Sequence, residues 1–194
     1  LEFRRVLFRS LRPHRTLNTF PLVLYTAAAI AYAVHFARRQ PSVGRLATTL
    51  LLCAALVHTF VIGMQTMEVQ HVPVTNTSSA ISMFVLLLVL AYLFTEMTTE
   101  ERAMGAFILP LAVALQILPA AHPLPEMRSD VLQGPLFGIH VSSLMFSYAS
   151  FALACVIGIT YVLLFKEIKA KHLGFFYARL PSLQVLDRKS TRLN

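Results

Sequence analysis

His58 and His140 are the residues whose type and placement could do chemistry. Each sits in a long apolar stretch, with Asp, Glu, Lys and Arg kept to the ends and connections. An ionisable group at membrane depth is costly, so it marks a functional site by default. Imidazole titrates near neutral pH and is a ligand for heme iron. His140 stands in GPLFGIHVSSLMFSYASFALACVIGITYVLLF, just after Pro135 and Gly138, where an apolar run opens. An imidazole there can face a ligand lying at the membrane boundary while a helix fixes its depth. Ser142, Ser143 and Ser147 follow, and small residues permit close helix packing or a flat ligand against the helix. The plainer reading of His140 is an interfacial histidine hydrogen-bonded to a loop. His58, in LLCAALVHTFVIGM, lies deeper, ~20 Å along a helix from Arg45. Its functional readings are a second heme ligand or a proton-handling residue. Its structural reading is a buried histidine bonded to Thr or Ser on a neighbouring helix.

Other marks are less specific. His71 precedes VPVTN, where Pro73 and Asn76 predict a constrained turn. His35, near the inner end of the first apolar stretch beside Arg38, reads as a snorkelling or surface residue. His122 and His172 fall in connections. Glu96, Glu100 and Glu101 read as a solvated turn. Cys53 and Cys155 lie far apart in apolar stretches and read as small core residues. No CxxC, CxxCH or zinc spacing is present, so neither c-type heme attachment nor thiol redox chemistry is indicated. Nothing forms a nucleophilic triad, a phosphate-binding glycine loop or a paired-carboxylate site.

The elements that must position these histidines are membrane spans. Apolar residues make up 56% of the chain, the composition of an integral membrane protein. A span needs about 20 mostly apolar residues. Five are read, at about 19–37, 46–65, 80–95, 103–118 and 139–165. The fourth is short and contains Pro110, which predicts a kink or tilt. The backbone in lipid must satisfy its own hydrogen bonds, so the spans are helices. The fold class expected is an all-α integral membrane protein, a polytopic bundle of about five transmembrane helices. Basic residues set its orientation. Arg38, Arg39, Arg45, Arg102, Lys166, Lys169 and Lys171 fall on one side, against Arg12, Arg15 and Arg128 on the other. The 38–45 turn is then cytoplasmic and the N-terminus outside. Loops 66–79 and 119–138 face outward, the second made irregular by Pro119, Pro123, Pro125 and Pro135.

Both termini read as foreign to this pattern. One codon choice for Leu1–Ser10 gives a DNA string whose reverse complement, read one base along, encodes Asp187–Asn194. Two ends encoding one inverted DNA element are an adaptor signature, and such segments are set aside in fold reasoning. Residues 1–10 and 187–194 are therefore expected to be artefact, leaving 11–186 as the native chain. The left segment carries Arg4, Arg5 and Arg9 against Glu2, and the right carries Arg188, Lys189 and Arg192 against Asp187. Each adds +2, so half of the formal +8 is set aside, and the basic ends do not read as a nucleic-acid patch.

Three segments carry a resemblance. They are His58 with the loop HVPVTNTSSAIS, the GPLFGIHVSSLMFSYASFALACVIGITYVLL helix, and ARLPSLQVLD at 178–187. In order, spacing and topology they resemble the cytochrome c assembly family, the heme-handling membrane proteins of the CcsA, CcmC and HemX-like type. The resemblance covers most of 46–186. It implies heme b presented at the outer face of a bacterial inner membrane and passed to apocytochrome c, alongside a second membrane subunit of the maturation system. His140 matches the first of the family's external heme-iron ligands. His58 matches a recurrent histidine and is the weaker candidate.

The departures are specific. The chain has no Trp, whereas the family carries a tryptophan-rich loop with a second external histidine beyond it. The expectation is the first five helices of a longer bundle of about eight, in which 11–186 supplies at most one external ligand. Family members form part of a cytochrome c heme lyase, and this stretch is not expected to be catalytically complete or to bind heme tightly. Ser79 stands where many members have Glu after the Asn76 turn, which favours a HemX-like or divergent branch over a well-matched heme lyase. Two other functions stay open: a membrane scaffold or regulator near the tetrapyrrole pathway, and a small-solute transporter coupled through His58. A transporter predicts an inverted repeat with broken helices, and none is visible.

Overall fold

The structure is a computed structural model that describes residues 14–122 and 134–169. Five helices make up the described residues: α1 (His14–Arg38), α2 (Pro41–Val69), α3 (Thr77–Thr99), α4 (Gly105–Ala121) and α5 (Pro135–Lys169). Each follows one apolar stretch of the sequence. Four are long and apolar enough to cross a membrane. The exception is α4, whose 17 residues rise about 25 Å, short of the ~30 Å hydrocarbon core. The helix runs on through Pro110 and Pro119. The chain is a multi-pass membrane protein.

Local chemistry sets the helix ends. Pro41 opens α2, where its missing N–H costs nothing and its φ is already helical. Asn76 caps α3, its side-chain oxygen accepting the Ser79 N–H at 2.9 Å. That bond is the physical content of the Pro-x-x-Asn turn. Arg39, Gln70 and Glu100 take left-handed φ values of 51°, 64° and 57° directly after α1, α2 and α3. Each donates its N–H to the carbonyl four residues back, at 2.7–2.8 Å, closing the last turn. Glycine usually fills this position, and here three long polar residues do.

Helices α1–α4 close a ring. α1 packs on α2 and α4, and α3 packs on α4 and, more thinly, on α2. Small residues let α1 and α2 approach closely, among them Ala28, Ala47, Ala54 and Ala55, all buried. Gly105 is required at the start of α4, because a Cβ there would overlap the Tyr32 ring and the Tyr92 hydroxyl. α5 lies outside the ring, mainly against α3, and contributes Ala149 and Leu153 to the common core. The bundle has two ends. The basic end carries the 38–41 and 99–105 turns and the last turn of α5. The loop end carries 70–76, the end of α4 and the start of α5.

Three expectations need correction. Pro119 lies inside α4 and Pro135 opens α5, so neither belongs to an irregular loop. Pro suits a helix start for the same reason as at Pro41. Cys53 and Cys155 are exposed on outward helix faces, with free thiols, and so are not core residues. Arg12, Arg128, Pro123, Pro125, His172, Lys171, the 178–187 segment and both adaptor-like ends lie outside the described residues.

Candidate functional site

His58 is held in the middle of the ring by two neighbouring helices. Its Nδ1 shares a hydrogen bond with the Tyr25 hydroxyl of α1 at 2.9 Å. Its Nε2 shares one with Ser82 Oγ of α3 at 2.9 Å. The Tyr25 ring meets the imidazole edge-on at 5.6 Å. All three side chains are buried. The reading of a buried histidine bonded to serine on a neighbouring helix is what the structure shows, with Tyr25 as a further partner. Both ring nitrogens are engaged, so an iron at His58 would have to displace Tyr25 or Ser82.

His140 is placed differently. It lies in the second turn of α5 at the loop end, exposed. Nothing among the described residues hydrogen-bonds its ring. Leu136 and Ile139 beside it are 81% and 64% exposed. The 70–76 loop reaches this turn, since a Cβ on Gly138 would stand 3.3 Å from Val72 Cγ2. His71 is buried in that loop, its Nδ1–H donating to the Val72 carbonyl at 2.8 Å. His122 follows α4 at the same end, exposed, with its carbonyl accepting the Ser78 hydroxyl at 3.0 Å. The loop end thus gathers three histidine-bearing segments. Among the described residues no group of three or more His, Cys, Asp or Glu could hold a metal ion. A heme needs only axial ligands, and the His140 imidazole, unbonded among the described residues and amid exposed apolar side chains, has the chemistry of one.

The basic end holds a site that the sequence hid. Glu96 was expected in a solvated turn and is instead 3% exposed. Its Oε2 accepts the Tyr32 hydroxyl at 2.5 Å, and its Oε1 accepts Thr48 Oγ1 at 2.5 Å. Arg102 Nε stands 3.5 Å from Oε1 and donates to Thr48 Oγ1 at 3.1 Å. One carboxylate therefore ties α1, α2, α3 and the turn before α4 together. The signal was periodicity: Glu96 follows Tyr92, Val89 and Val85 at helical spacing, and that stripe is buried. Glu100 and Glu101 lie beyond the helix proper. His35, half-buried nearby, donates through Nδ1 to the Gln40 carbonyl at 3.0 Å and lies over Gly44.

These features define a class: a multi-pass membrane helix bundle with histidines collected at one end and a buried carboxylate clamp at the other. The family model for "Cytochrome C assembly protein" matches residues 43–194, and the chain belongs to that family. Among curated relatives, the cytochrome c biogenesis protein CcsA of Heterosigma akashiwo is 33% identical over 102 residues, 50% of this chain and 32% of the relative. Protein HemX of Brevibacillus brevis is 27% identical over 184 residues, 93% of this chain and 67% of the relative. HemX of Bacillus subtilis is 22% identical over 182 residues, 66% of its length. The chain spans about a third of that CcsA and about two thirds of the HemX proteins. No solved structure matches it.

Proposed function

We propose that this chain presents heme b for cytochrome c maturation, with His140 as the axial ligand. The observation that carries the reading is the contrast between the two candidate histidines. His140 stands at the exposed loop end with no hydrogen bond from a described residue, whereas both nitrogens of His58 are bonded inside the bundle. Heme is cargo in this scheme. His140 would bind the iron, Leu136 and Ile139 would give the porphyrin an apolar bed, and the acceptor would be apocytochrome c beside a second membrane subunit. One imidazole makes a partly open site, which favours release over storage. His58 remains the weaker candidate ligand. The chain is proposed to lie in a bacterial inner membrane with the basic end cytoplasmic and the N-terminus and loop end outside. Residues 1–10 and 187–194 are proposed to be adaptor-derived.

Hemin titration of the chain in lipid nanodiscs tests the reading. The expected product is a weak complex with the spectrum of a single imidazole ligand. A tight bis-histidine spectrum would contradict it and point to His58 with another internal histidine. A second reading rests on coverage. HemX relatives align with over nine tenths of the chain and the Heterosigma CcsA with half. It makes the chain a HemX-like scaffold or regulator of the tetrapyrrole pathway, with no dependence on the His140 imidazole.

A further inference from the structure

The ring of four helices buries more hydrogen-bonding capacity than its own side chains use. Tyr25, His58 and Ser82 form a chain of two hydrogen bonds. A neutral imidazole offers one donor nitrogen and one acceptor nitrogen. Whichever tautomer is present, one hydroxyl donates to the ring and the other accepts from it. The accepting hydroxyl keeps a proton that needs a further acceptor.

The fourth helix brings an unused polar group to the same region. Gln116 of α4 is 0% exposed, and both its Oε1 and Nε2 lack a hydrogen-bond partner among the described residues. Helix register sets its level. Asn18 Nδ2 donates to the Pro119 carbonyl, and Gly105 lies against Tyr32, so α1 and α4 run antiparallel with Gln116 opposite Pro21. That is one turn from Tyr25, about 6 Å along the axis. The Ser78–His122 and Tyr92–Gly105 contacts bring Gln116 within a turn of Ser82. Each of the four helices thus contributes one fully buried polar side chain to one layer.

The unused capacity continues toward the loop end. Asn18 precedes Tyr25 by seven residues and Gln65 follows His58 by seven, which puts both about 10 Å nearer that end. Asn18 Oδ1 and Gln65 Oε1 are also buried without partners among the described residues. Buried polar groups in folded proteins are paired, and where protein groups do not serve, ordered water does.

We infer that this layer binds ordered water, which bridges the Gln116 carboxamide to the Tyr25–His58–Ser82 chain and exchanges with solvent past Asn18 and Gln65. The interior of a membrane bundle is then hydrated down to His58 from one end only. At the other end the Glu96 carboxylate is already satisfied by Tyr32, Thr48 and Arg102. The inference does not depend on heme.

Water-edited solid-state NMR on the full chain in lipid bilayers, with 15N-labelled Gln, His, Leu and Ile, tests it. The Gln116 amide and the His58 ring should gain water magnetisation several-fold faster than the buried Leu88 and Ile108. Gln116→Met assigns the amide signal, and it should slow transfer to His58 and lower the thermal midpoint. Asn18→Leu should slow transfer to Gln116, and an unchanged rate would overturn the loop-end route. Wild-type signals no faster than Leu88, or a Gln116→Met chain at least as stable as wild type, would overturn the water site. The wild-type measurement does not require any variant to fold.

Discussion

Within its most apolar 18 residues α3 buries 61%, whereas α5 buries 17%. The four-helix ring and the fifth helix are built for different work. In the ring, polar side chains are locked to one another: Glu96 accepts bonds from α1 and α2, and His58 bonds to α1 and α3. On α5, His140 sits exposed, with no bond from a described residue and apolar neighbours facing outward. A locked imidazole positions helices, whereas one that no described residue bonds leaves its nitrogens open to the proposed ligand.

Substitutions can break that contrast, and the largest effect belongs to the carboxylate clamp. Glu96→Ala strands the buried Tyr32 hydroxyl and unties three helices from the 99–105 turn. Loss of a partner in a buried charged network costs about 3 kcal/mol. Arg102 is about a third exposed at its side chain, so water recovers part of its share. A thermal midpoint unchanged from wild type would show that the clamp is not holding the ring together. His58→Leu comes next. It leaves Tyr25 and Ser82 without their shared partner, at a cost of about 1–3 kcal/mol by the same unfolding measurement. Equal stability would mean that the histidine is not a structural tie. Glu100→Gly works in the opposite direction, because glycine relieves the left-handed φ of 57° at the end of α3. It should stabilise by about 1 kcal/mol or less, with a small rise in midpoint. His140→Ala should change stability least of all, by about 0.5 kcal/mol or less, because nothing described is bonded to it.

Much of this was legible in the sequence. Apolar run length gave all five helices, including the shortest, α4. Asn76 was legible as a turn residue, and the structure makes it the cap of α3 as well. The serine partner of His58 was foreseen by type, since Ser82 lies in the facing span, but the tyrosine was not. Hydropathy says nothing about which residues share a level across helices, so Tyr25 and Gln116 carried no visible mark. Glu96 was misjudged because it stands four residues from Glu100, and proximity in sequence outweighed the buried stripe it continues. Pro119 and Pro135 were read as loop markers, although Pro is tolerated at a helix start and inside helices that have neighbours to support them. The place of His140 on α5 was legible.

The most direct test sets the two histidines side by side. Hemin is titrated into wild-type, His140→Ala and His58→Leu chains in nanodiscs, and the Soret band is followed. The account predicts weak binding by wild type, at least tenfold weaker binding by His140→Ala, and binding by folded His58→Leu close to wild type. Binding that survives His140→Ala and disappears with His58→Leu would contradict it and move the heme site into the ring.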